Sequence, residues 1–549
     1  MSDPIRTLPH ALAAAALKSG RITVRGAGGS VVAASDWAAI AKDNGGLARR
    51  LLSTGLKAGA RIGLVAETDL AFVRLFLACQ RAGLVPVPVP LPGSFGYREA
   101  HADKMARLLS ACDARAVVAP PALLPLLPNG LDLAVTPADI EALPESGRDL
   151  PVIGEDDVAF LQFSSGSTRF PKGVMVTHRN LIANARGISA ALNVGGGDIC
   201  VSWLPLYHDM GLVGSLLTSL FAGVDLHLLP TLEFIRNPLL WPRLMAETGG
   251  TIAYSPAFGY ELAARRGAAV ALSNLDLTRW RVAGLGGDMI RPQVLARFAE
   301  IFAPAGFRAT AFLGSYGLAE ATLAVTLGRP GAGLAVSMVD LEVLEREGRV
   351  VPATDGRARA FARCGVPIPG LEVDILDAAG RKLPDGHVGR IHVGGPSVMR
   401  GYFREPEETA RAISPDGRLD TGDLGAMDGG ELLITGRAKD LIIVNGRNIW
   451  PHDLEWAAER VEPLRAGDVA AVAAEGEDGA EQAVLLVQCR SADPAERDRL
   501  AKQVAAAAMA DSGVLCRVVL VPSHSLPRTS SGKLARAHAR RLLAEGRFG

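Results

Sequence analysis

The stretch Phe163-Ser164-Ser165-Gly166-Ser167-Thr168-Arg169-Phe170-Pro171-Lys172-Gly173 places hydroxyls, glycines and two cations between two apolar runs. Residues 158–163 and 174–176 are apolar enough to form buried strands. A loop between such strands can direct backbone N–H groups toward an anion, and its glycines allow close approach. The stretch lacks the Gly-Lys-Ser/Thr ending of a P-loop, because Pro171 precedes Lys172 and Gly173 follows it. It predicts a phosphate-binding loop of another type, although an ordinary Ser/Gly hairpin loop has a similar composition.

Composition narrows the classes of function. A chain of 549 residues is too long for a single hydrophobic core and should form at least two domains. Lys plus Arg and Asp plus Glu both number 58, so no nucleic-acid partner is predicted and no electrostatic attraction to a membrane. The six cysteines are far apart and form no CxxC pair, which is typical of reduced thiols in a cytoplasmic protein.

Two apolar segments are candidates for a membrane span or an export signal. Residues 8–17 are apolar but short and have no convincing cleavage signature, so we interpret them as an ordinary helix. Residues 213–230 contain Asp225 and His227, which interrupt the apolar run. We therefore expect no transmembrane segment and a cytoplasmic location.

Helical and strand patterns alternate along the chain. Residues 37–52 and 71–82 have helical periodicity, whereas residues 61–65 and 116–119 read as strands, which predicts a layered α/β fold. Near the C-terminus, two further strand patterns flank the polar segment 436–440. We place a domain boundary there, with a large N-terminal domain over 1–438 and a small α/β domain over 439–549.

Four more motifs occur in order with the Ser/Gly stretch. They are Trp203-Leu-Pro-Leu-Tyr-His-Asp-Met-Gly211, Gly314-Ser-Tyr-Gly-Leu-Ala-Glu-Ala-Thr322, Asp420-Thr-Gly-Asp423 with Gly436-Arg-Ala-Lys-Asp440, and Leu526-Pro-Arg-Thr-Ser-Ser-Gly-Lys533. Together they resemble the adenylate-forming superfamily of acyl-CoA ligases, peptide-synthetase adenylation domains and luciferases. The sequences at His208-Asp209, 316–322 and 444–451 are most similar to those of the fatty acyl-AMP ligases. The resemblance extends from about Trp37 onward.

This resemblance implies a multi-subdomain adenylate-forming domain, a mobile C-terminal domain, and a two-step reaction. A fatty acid would react with ATP to give acyl-AMP and pyrophosphate. The acyl group would then pass to the phosphopantetheine thiol of an acyl carrier protein, or of a carrier domain in a polyketide or peptide synthase. A carboxylate attacking a phosphate is one anion approaching another, so the site must supply cations and Mg²⁺.

The resemblance also assigns roles to residues on the phosphate side. The β- and γ-phosphates would be held by Ser165, Gly166, Ser167, Thr168 and Lys172. Glu320 and Thr168 would be the Mg²⁺ ligands, and few protein ligands suffice because Mg²⁺ keeps several of its waters.

On the adenosine side, the resemblance implies that Tyr316 stacks on adenine, with Ser315 and Gly317 beside it. Gly286, Gly287 and Asp288 would form the opposite wall, although this family commonly has Asn-Gly-Ala/Ser-Glu-Pro there. Asp423 would accept from the ribose hydroxyls and Arg437 would donate on the same side.

Lys533, by the same resemblance, reaches from the small domain to the α-phosphate and the acyl carboxylate. His208 would be a gate between the acyl tunnel and the nucleotide, and Lys439 a hinge residue beside the nucleotide site. The predicted catalytic residues are thus Lys533, Glu320, His208 and Lys172. Taken singly, each has an ordinary alternative, such as a solvated lysine or a hydrogen-bonded core histidine.

The acyl acceptor has two candidates. The segment between Thr322 and Arg363 resembles the insertion that restrains the small domain in fatty acyl-AMP ligases, and we predict its strands within 331–345 and 348–352; a variable surface loop is the alternative. A fatty acyl-CoA ligase using free CoA is the nearest other function. Amino-acid activation is disfavoured because Tyr-His-Asp follows Leu206, where a Phe-Asp pair would place an aspartate against an α-amine. A nucleotide sensor without catalytic activity is disfavoured because Glu320, Asp423, Arg437 and Lys533 occur together.

Overall fold

A computed structural model describes residues 5–91, 98–163, 172–444, 447–475, 481–529 and 533–548. The predicted phosphate-loop residues Ser165, Gly166, Ser167 and Thr168 lie outside these ranges. Among the helices described, none combines the length and the apolar composition needed to cross a bilayer.

The secondary structure alternates between helices and strands as predicted. The helices are α1 (Leu8–Ala15), α2 (Trp37–Ser53), α3 (Leu70–Arg81), α4 (Arg98–Ala111), α5 (Pro137–Ala142), α6 (His178–Ala191), α7 (Thr218–Ala222), α8 (Thr231–Arg236), α9 (Leu240–Thr248), α10 (Ala257–Gly267), α11 (Pro292–Phe302), α12 (Leu341–Glu347), α13 (Pro406–Ala412), α14 (Pro451–Ala458), α15 (Pro494–Ser512) and α16 (Arg536–Ala544).

The strands are β1 (Arg21–Arg25), β2 (Val31–Asp36), β3 (Arg61–Val65), β4 (Val85–Val89), β5 (Ala116–Val118), β6 (Leu133–Val135), β7 (Val158–Phe163), β8 (Gly173–Thr177), β9 (Ile199–Ser202), β10 (Asp225–Leu228), β11 (Ile252–Ser255), β12 (Val282–Leu285), β13 (Phe312–Gly317), β14 (Ala324–Leu327), β15 (Val336–Asp340), β16 (Ala358–Ala362), β17 (Val366–Pro367), β18 (Glu372–Leu376), β19 (Gly389–Gly394), β20 (Gly401–Tyr402), β21 (Leu419–Asp428), β22 (Glu431–Arg437), β23 (Ile442–Val444), β24 (Arg447–Ile449), β25 (Val469–Glu475), β26 (Glu481–Cys489) and β27 (Cys516–Pro522).

A nine-stranded sheet forms the centre of the large domain, in the order β17-β14-β13-β12-β11-β9-β10-β1-β2. Strands β13, β12, β11, β9, β10 and β1 run parallel, and the outer strands are antiparallel. Neighbouring parallel strands end at the same edge of a sheet, where α/β enzymes bind their ligands. The loops that follow β9, β11, β12 and β13 therefore meet at one edge.

Strands β7 and β8, on either side of the predicted phosphate loop, form a β-hairpin. Strands β7 and β8 pair antiparallel, from Phe163 opposite Gly173 to Val158 opposite Thr177, and β20 extends the sheet beside β8. This agrees with the strand prediction for residues 158–163 and 174–176. Thr177 then caps α6 through its hydroxyl, which accepts from the Asn180 N–H, so helix α6 starts directly where the hairpin ends.

The large domain also contains two four-stranded sheets. Strands β4, β3, β5 and β6 form a parallel sheet in that order, and β18, β19, β21 and β22 an antiparallel one. Pro86 and Pro88 are tolerated in β4 because it is an edge strand, where a missing N–H breaks no ladder on its outer side.

Residues beyond Asp440 form a smaller domain with a core of its own. The sheet β25-β26-β27 packs α14 and α15 on one face, through Leu454, Val504 and Ala508, and α16 on the other, through Ala539. The predicted α/β class with a large and a small domain is confirmed. The boundary at 438/439, which falls in the 3-10 turn Ala438–Asp440, stays a prediction.

The predicted insertion contains a hairpin, but its strands differ from those expected. Strand β15 pairs with β16, whereas residues 341–347 form helix α12 and residues 348–352 make only isolated bridges. The strand prediction beyond Asp340 was wrong because Asp340 caps a helix, accepting from the N–H groups of Glu342 and Val343. Leu341 and Leu344, three residues apart, bury the helix face.

All six cysteines are free and buried. This fits the prediction of reduced thiols that fill the core. Burial raises the pKa of the Cys200 thiol to about 11, so this thiol stays protonated at neutral pH.

Candidate active site

The loops at the carboxyl edge of the central sheet meet the tip of the small domain. A methyl group added to Gly287, after β12, would lie 3.2 Å from Met210 Sδ, after β9, and 3.9 Å from Lys533 Nζ of the small domain. Gly287 has φ +83°, and a side chain there would be both strained and crowded. The Ser315 hydroxyl donates to the Leu285 carbonyl at 2.6 Å, which ties β13 to the same loop. Asp288, at its tip, is exposed.

Asp423, Tyr316 and Arg437 form a hydrogen-bonded group. The Tyr316 hydroxyl donates to Asp423 Oδ2 at 2.7 Å, and Arg437 Nε lies 3.2 Å from Asp423 Oδ1. Asp423 and Arg437 are register partners on β21 and β22, so the backbone pairing itself sets this ion pair. Asp423 raises the pKa of Arg437, and burial raises that of Tyr316 well above its usual value. The group therefore presents a permanent cation and a neutral phenol.

Glu320 lies in the 3-10 turn Ala319–Ala321, just after β13. The Tyr402 hydroxyl donates to Glu320 Oε1 at 2.9 Å, and the Met399 N–H donates to the Glu320 carbonyl at 2.8 Å. Burial raises the pKa of Glu320, although the hydrogen bond from Tyr402 and the charge of Arg437 oppose this. A bound divalent cation would offset the burial of this carboxylate. Glu320 thus fits a Mg²⁺ ligand, an ion that needs only one or two protein carboxylates.

The Glu320 turn is held by strained and buried residues. Thr322 has φ +69° and ψ −52°, which is costly for a β-branched residue, and its hydroxyl donates to the Ser397 carbonyl at 2.7 Å. Asn184 is fully buried; it donates to the Ala324 carbonyl at 2.9 Å and accepts from the Ala324 N–H at 3.1 Å. Such bonds can hold the turn in one conformation.

Lys172, at the end of the phosphate-loop stretch, contacts the segment that follows β20. It forms an ion pair with Glu408, and its ammonium lies 4.8 Å from the centre of the Tyr402 ring. Burial lowers the pKa of the nearby Lys439, helped by the charges of Arg437 and Lys172. Positive charge is therefore concentrated on this side of the site.

His208, Asp209 and Lys533 form the opposite side. His208 Nδ1 lies 2.7 Å from Asp209 Oδ1, and the same oxygen accepts from the Met210 N–H at 2.8 Å. Burial alone would raise the pKa of Asp209, but His208 and the Lys533 ammonium outweigh it and hold the pKa below its usual value. A π-helical turn over Met210–Leu217 follows, a form that often occurs at functional sites.

Ion pairs and ring contacts hold the small domain against the large one. Arg359 pairs with Asp453 at 2.7 Å and Arg291 with Glu459 at 2.7 Å, and both guanidiniums lie about 5 Å from the Trp456 ring. Glu345 of the insertion accepts from Arg447, and Arg357 donates to the Asp511 carbonyl at 2.7 Å. The insertion is thus in direct contact with the small domain.

The residues predicted from the sequence lie together where they are described. Around one cleft are Lys172, His208, Gly286, Gly287, Asp288, Ser315, Tyr316, Gly317, Glu320, Asp423, Arg437, Lys439 and Lys533. Their predicted roles toward ATP, Mg²⁺ and the acyl group stay predictions.

Sequence reasoning missed Asp209, Tyr402 and Glu408. Asp209 stands beside His208 in a motif that was recognised, so its position was a usable signal. Tyr402 and Glu408 are far in sequence from Glu320 and Lys172, and nothing local indicates their partners.

Several known proteins are similar to this chain over most of its length. The family model of the AMP-binding enzymes matches residues 36–403, more than half of the chain. A Caulobacter vibrioides protein provisionally named an acyl-CoA synthetase is 48% identical over 99% of this chain and 96% of its own length. A medium-chain fatty acid–[acyl-carrier-protein] ligase of Moorena producens, JamA, is 36% identical over 72% of this chain and 69% of its own.

A solved structure from a study of fatty acyl-adenylate ligases of E. coli and L. pneumophila superposes with a TM-score of 0.93. It is 40% identical and covers 99% of this chain and 98% of its own. The family match spans the cleft residues from Lys172 to Glu320 and ends before Asp423, Arg437 and Lys533, whereas the superposition extends over both domains. The chain therefore belongs to the AMP-binding enzyme family, the adenylate-forming superfamily whose fatty acyl-AMP ligases it resembles.

Proposed function

We propose that this protein joins a fatty acid to AMP at the expense of ATP and then transfers the acyl group to the phosphopantetheine thiol of an acyl carrier protein. The observation that supports this most is the position of Lys533. Its ammonium, from the small domain, lies beside Gly287 and Met210 in the cleft that also contains Glu320 and Asp423.

In the first step, a carboxylate oxygen of the fatty acid attacks the α-phosphorus of ATP. The bond from that phosphorus to the oxygen bridging the β-phosphate breaks, and pyrophosphate leaves with the electron pair. Negative charge grows on the α-phosphate oxygens, so a positioned ammonium stabilises the transition state more than the ground state. We assign this role to Lys533.

The ribose and adenine would be held by Asp423, Arg437 and Tyr316. Asp423 retains acceptor capacity beyond its bonds to Tyr316 and Arg437, since a carboxylate offers about four lone-pair positions. Gly286 and Gly287 leave room for a flat base because neither has a side chain.

Lys172 and Glu320 serve the phosphates and the metal. Lys172 would move from Glu408 toward the β- and γ-phosphates, together with the loop residues Ser165, Gly166, Ser167 and Thr168. Mg²⁺ would be held by Glu320 with Thr168, and when bound it neutralises charge on the phosphates. Asp209 pairs with His208, to which we assign the role of a gate toward the acyl chain.

In the second step, a thiolate attacks the acyl carbonyl carbon and AMP leaves. Two relatives that are named fatty acid–[acyl-carrier-protein] ligases favour a carrier protein as the acceptor. The contacts of the insertion with the small domain favour it as well. Free CoA is the second candidate, favoured by the Caulobacter relative.

The test is a competition between acceptors. The protein is incubated with ATP, Mg²⁺ and a panel of saturated fatty acids, with equal concentrations of CoA and a holo acyl carrier protein, and products are measured by mass spectrometry. We expect acyl-AMP without acceptors and acyl-carrier protein as the main product with both. A main product of acyl-CoA would overturn the acceptor, and the absence of acyl-AMP and pyrophosphate with every acid would overturn the activity.

A further inference from the structure

Tyr402 makes two contacts that the proposed reaction has not yet used. Its hydroxyl donates to Glu320 Oε1 at 2.9 Å, and its ring faces the Lys172 ammonium at 4.8 Å from the ring centre. Glu320 and Lys172 are the proposed metal ligand and phosphate lysine, and they come from different segments of the large domain. One side chain thus touches both.

We propose that Tyr402 is a positioning residue that orients Glu320 for the metal through its hydroxyl and Lys172 for the phosphates through its ring. This inference rests on the proposed function, because it assigns a role toward Mg²⁺ and ATP. Tyr402 itself contacts neither ligand in this scheme.

The hydroxyl contact suits this role. Tyr402 is half-buried, and its hydroxyl is the donor in this bond. Its hydrogen bond engages one carboxylate oxygen of Glu320 and restrains the orientation of that side chain. Partners of this kind behind a metal ligand typically change metal affinity 10- to 100-fold when they are removed.

The ring contact acts on Lys172. An ammonium over an aromatic face is attracted by the ring quadrupole without losing its charge, and can still bind a phosphate. Lys172 also pairs with Glu408 on α13, in the same segment as Tyr402. The Tyr402 ring therefore keeps Lys172 near the phosphate site when the lysine leaves the Glu408 carboxylate.

The backbone of Tyr402 is itself well fixed. Its N–H donates to the Thr409 hydroxyl at 2.9 Å, and β20 pairs with β8 at Tyr402 opposite Val174. Strand β8 begins directly after Lys172, so the pairing ties the ring to the end of the phosphate-loop stretch. A change in the side chain alone should therefore leave the segment in place.

The test measures nucleotide binding rather than turnover. Affinity for α,β-methylene ATP, which cannot form an adenylate, is determined by calorimetry with Mg²⁺ and with EDTA in wild type, Tyr402→Phe and Tyr402→Leu. Removal of the hydroxyl should reduce the Mg²⁺-dependent gain in affinity about tenfold and leave the affinity in EDTA unchanged. Removal of the ring should also lower the affinity in EDTA, by several-fold.

Arg404→Ala is the matched control. Arg404 lies in the same segment, but its guanidinium is exposed and pairs with Asp113, away from Glu320 and Lys172. This variant should match wild type in both conditions, and melting temperatures should show that all variants fold.

Each part of the proposal can fail separately. An unchanged Mg²⁺-dependent gain in Tyr402→Phe would overturn the role toward Glu320, and equal EDTA affinities in Phe and Leu variants would overturn the role toward Lys172. A wild type that binds no nucleotide would instead refute the proposed function itself.

Discussion

The two sides of the cleft are built differently. On the large-domain side, Asp423 is bonded to Tyr316 and Arg437. Glu320 accepts a hydrogen bond from Tyr402 of the same domain. On the other side, Lys533 comes from the small domain, and its position depends on contacts across the domain interface. One half is preorganised by its own fold, whereas the other is present only while the domains are docked.

This contrast indicates a division of labour. Under the proposed function, the preorganised half binds nucleotide in any arrangement of the domains, whereas charge neutralisation at the α-phosphate requires docking. Mutations on the two sides should therefore separate nucleotide binding from chemistry.

The largest effect is expected for Lys533→Ala. Loss of the ammonium should lower pyrophosphate release about a thousandfold, because its attraction is needed most in the transition state. Affinity for α,β-methylene ATP should fall only slightly. Pyrophosphate release at the wild-type rate would remove Lys533 from the mechanism and erase the contrast between the two sides.

Lys439→Pro tests the hinge in the turn Ala438–Asp440. Proline fixes φ near −65° and restricts the preceding residue, so rotation of the small domain should be impaired while the docked arrangement survives. We expect near-normal acyl-AMP formation and transfer to the carrier thiol reduced about thirtyfold, measured in separate single-turnover assays. Equal losses in both steps would contradict the hinge assignment.

Trp456→Leu tests docking. The ring contacts both Arg359 and Arg291, and loss of two cation–π contacts should weaken docking by about 1–2 kcal/mol. Pyrophosphate release should fall about tenfold, while affinity for α,β-methylene ATP stays at the wild-type value. A fall in nucleotide affinity would show that the two halves are less independent than their contacts indicate.

The smallest effect concerns pH. Burial raises the pKa of Glu459 from 4.5 to about 7, with the Arg291 charge opposing. The folded state then binds the proton more tightly than the unfolded state, so the contribution of Glu459 is most favourable below about pH 4.5 and declines as pH rises to 7. Between pH 5 and 7.5, wild type should lose about 1–3 kcal/mol relative to Glu459→Gln, measured by urea unfolding.

Glu462→Gln is the control, because it removes one carboxylate close in sequence to Glu459 from an exposed position. Its stability should follow that of wild type across this pH range. An opposite slope in wild type would mean that the ion pair with Arg291 outweighs the burial of Glu459. The interface would then tighten rather than loosen as pH rises.

Local patterns predicted much of the framework. The helix over residues 37–52, the strand over 61–65 and the two strands that flank the phosphate-loop stretch follow from periodicity and apolar runs, and the structure has them within a residue or two. The failure was local as well: residues 341–345 are apolar enough for a strand, but the Asp340 cap and the spacing of two leucines favour a helix.

The catalytic partners could not be predicted in this way. The bond from Tyr402 to Glu320 joins residues 82 apart, and that from Tyr316 to Asp423 joins residues 107 apart. No periodicity or turn signal encodes such a pair, because it depends on which strands become neighbours in the sheets.

The sequence by itself determined the alternation of elements, the order of the motifs and thereby the family. Only the tertiary structure decided that Tyr402 contacts both Glu320 and Lys172, and that Lys533 of the small domain faces Gly287 of the large one. The physical reason is that hydrophobic spacing and capping act within a few residues, whereas burial and charge pairing act between whichever segments folding brings together.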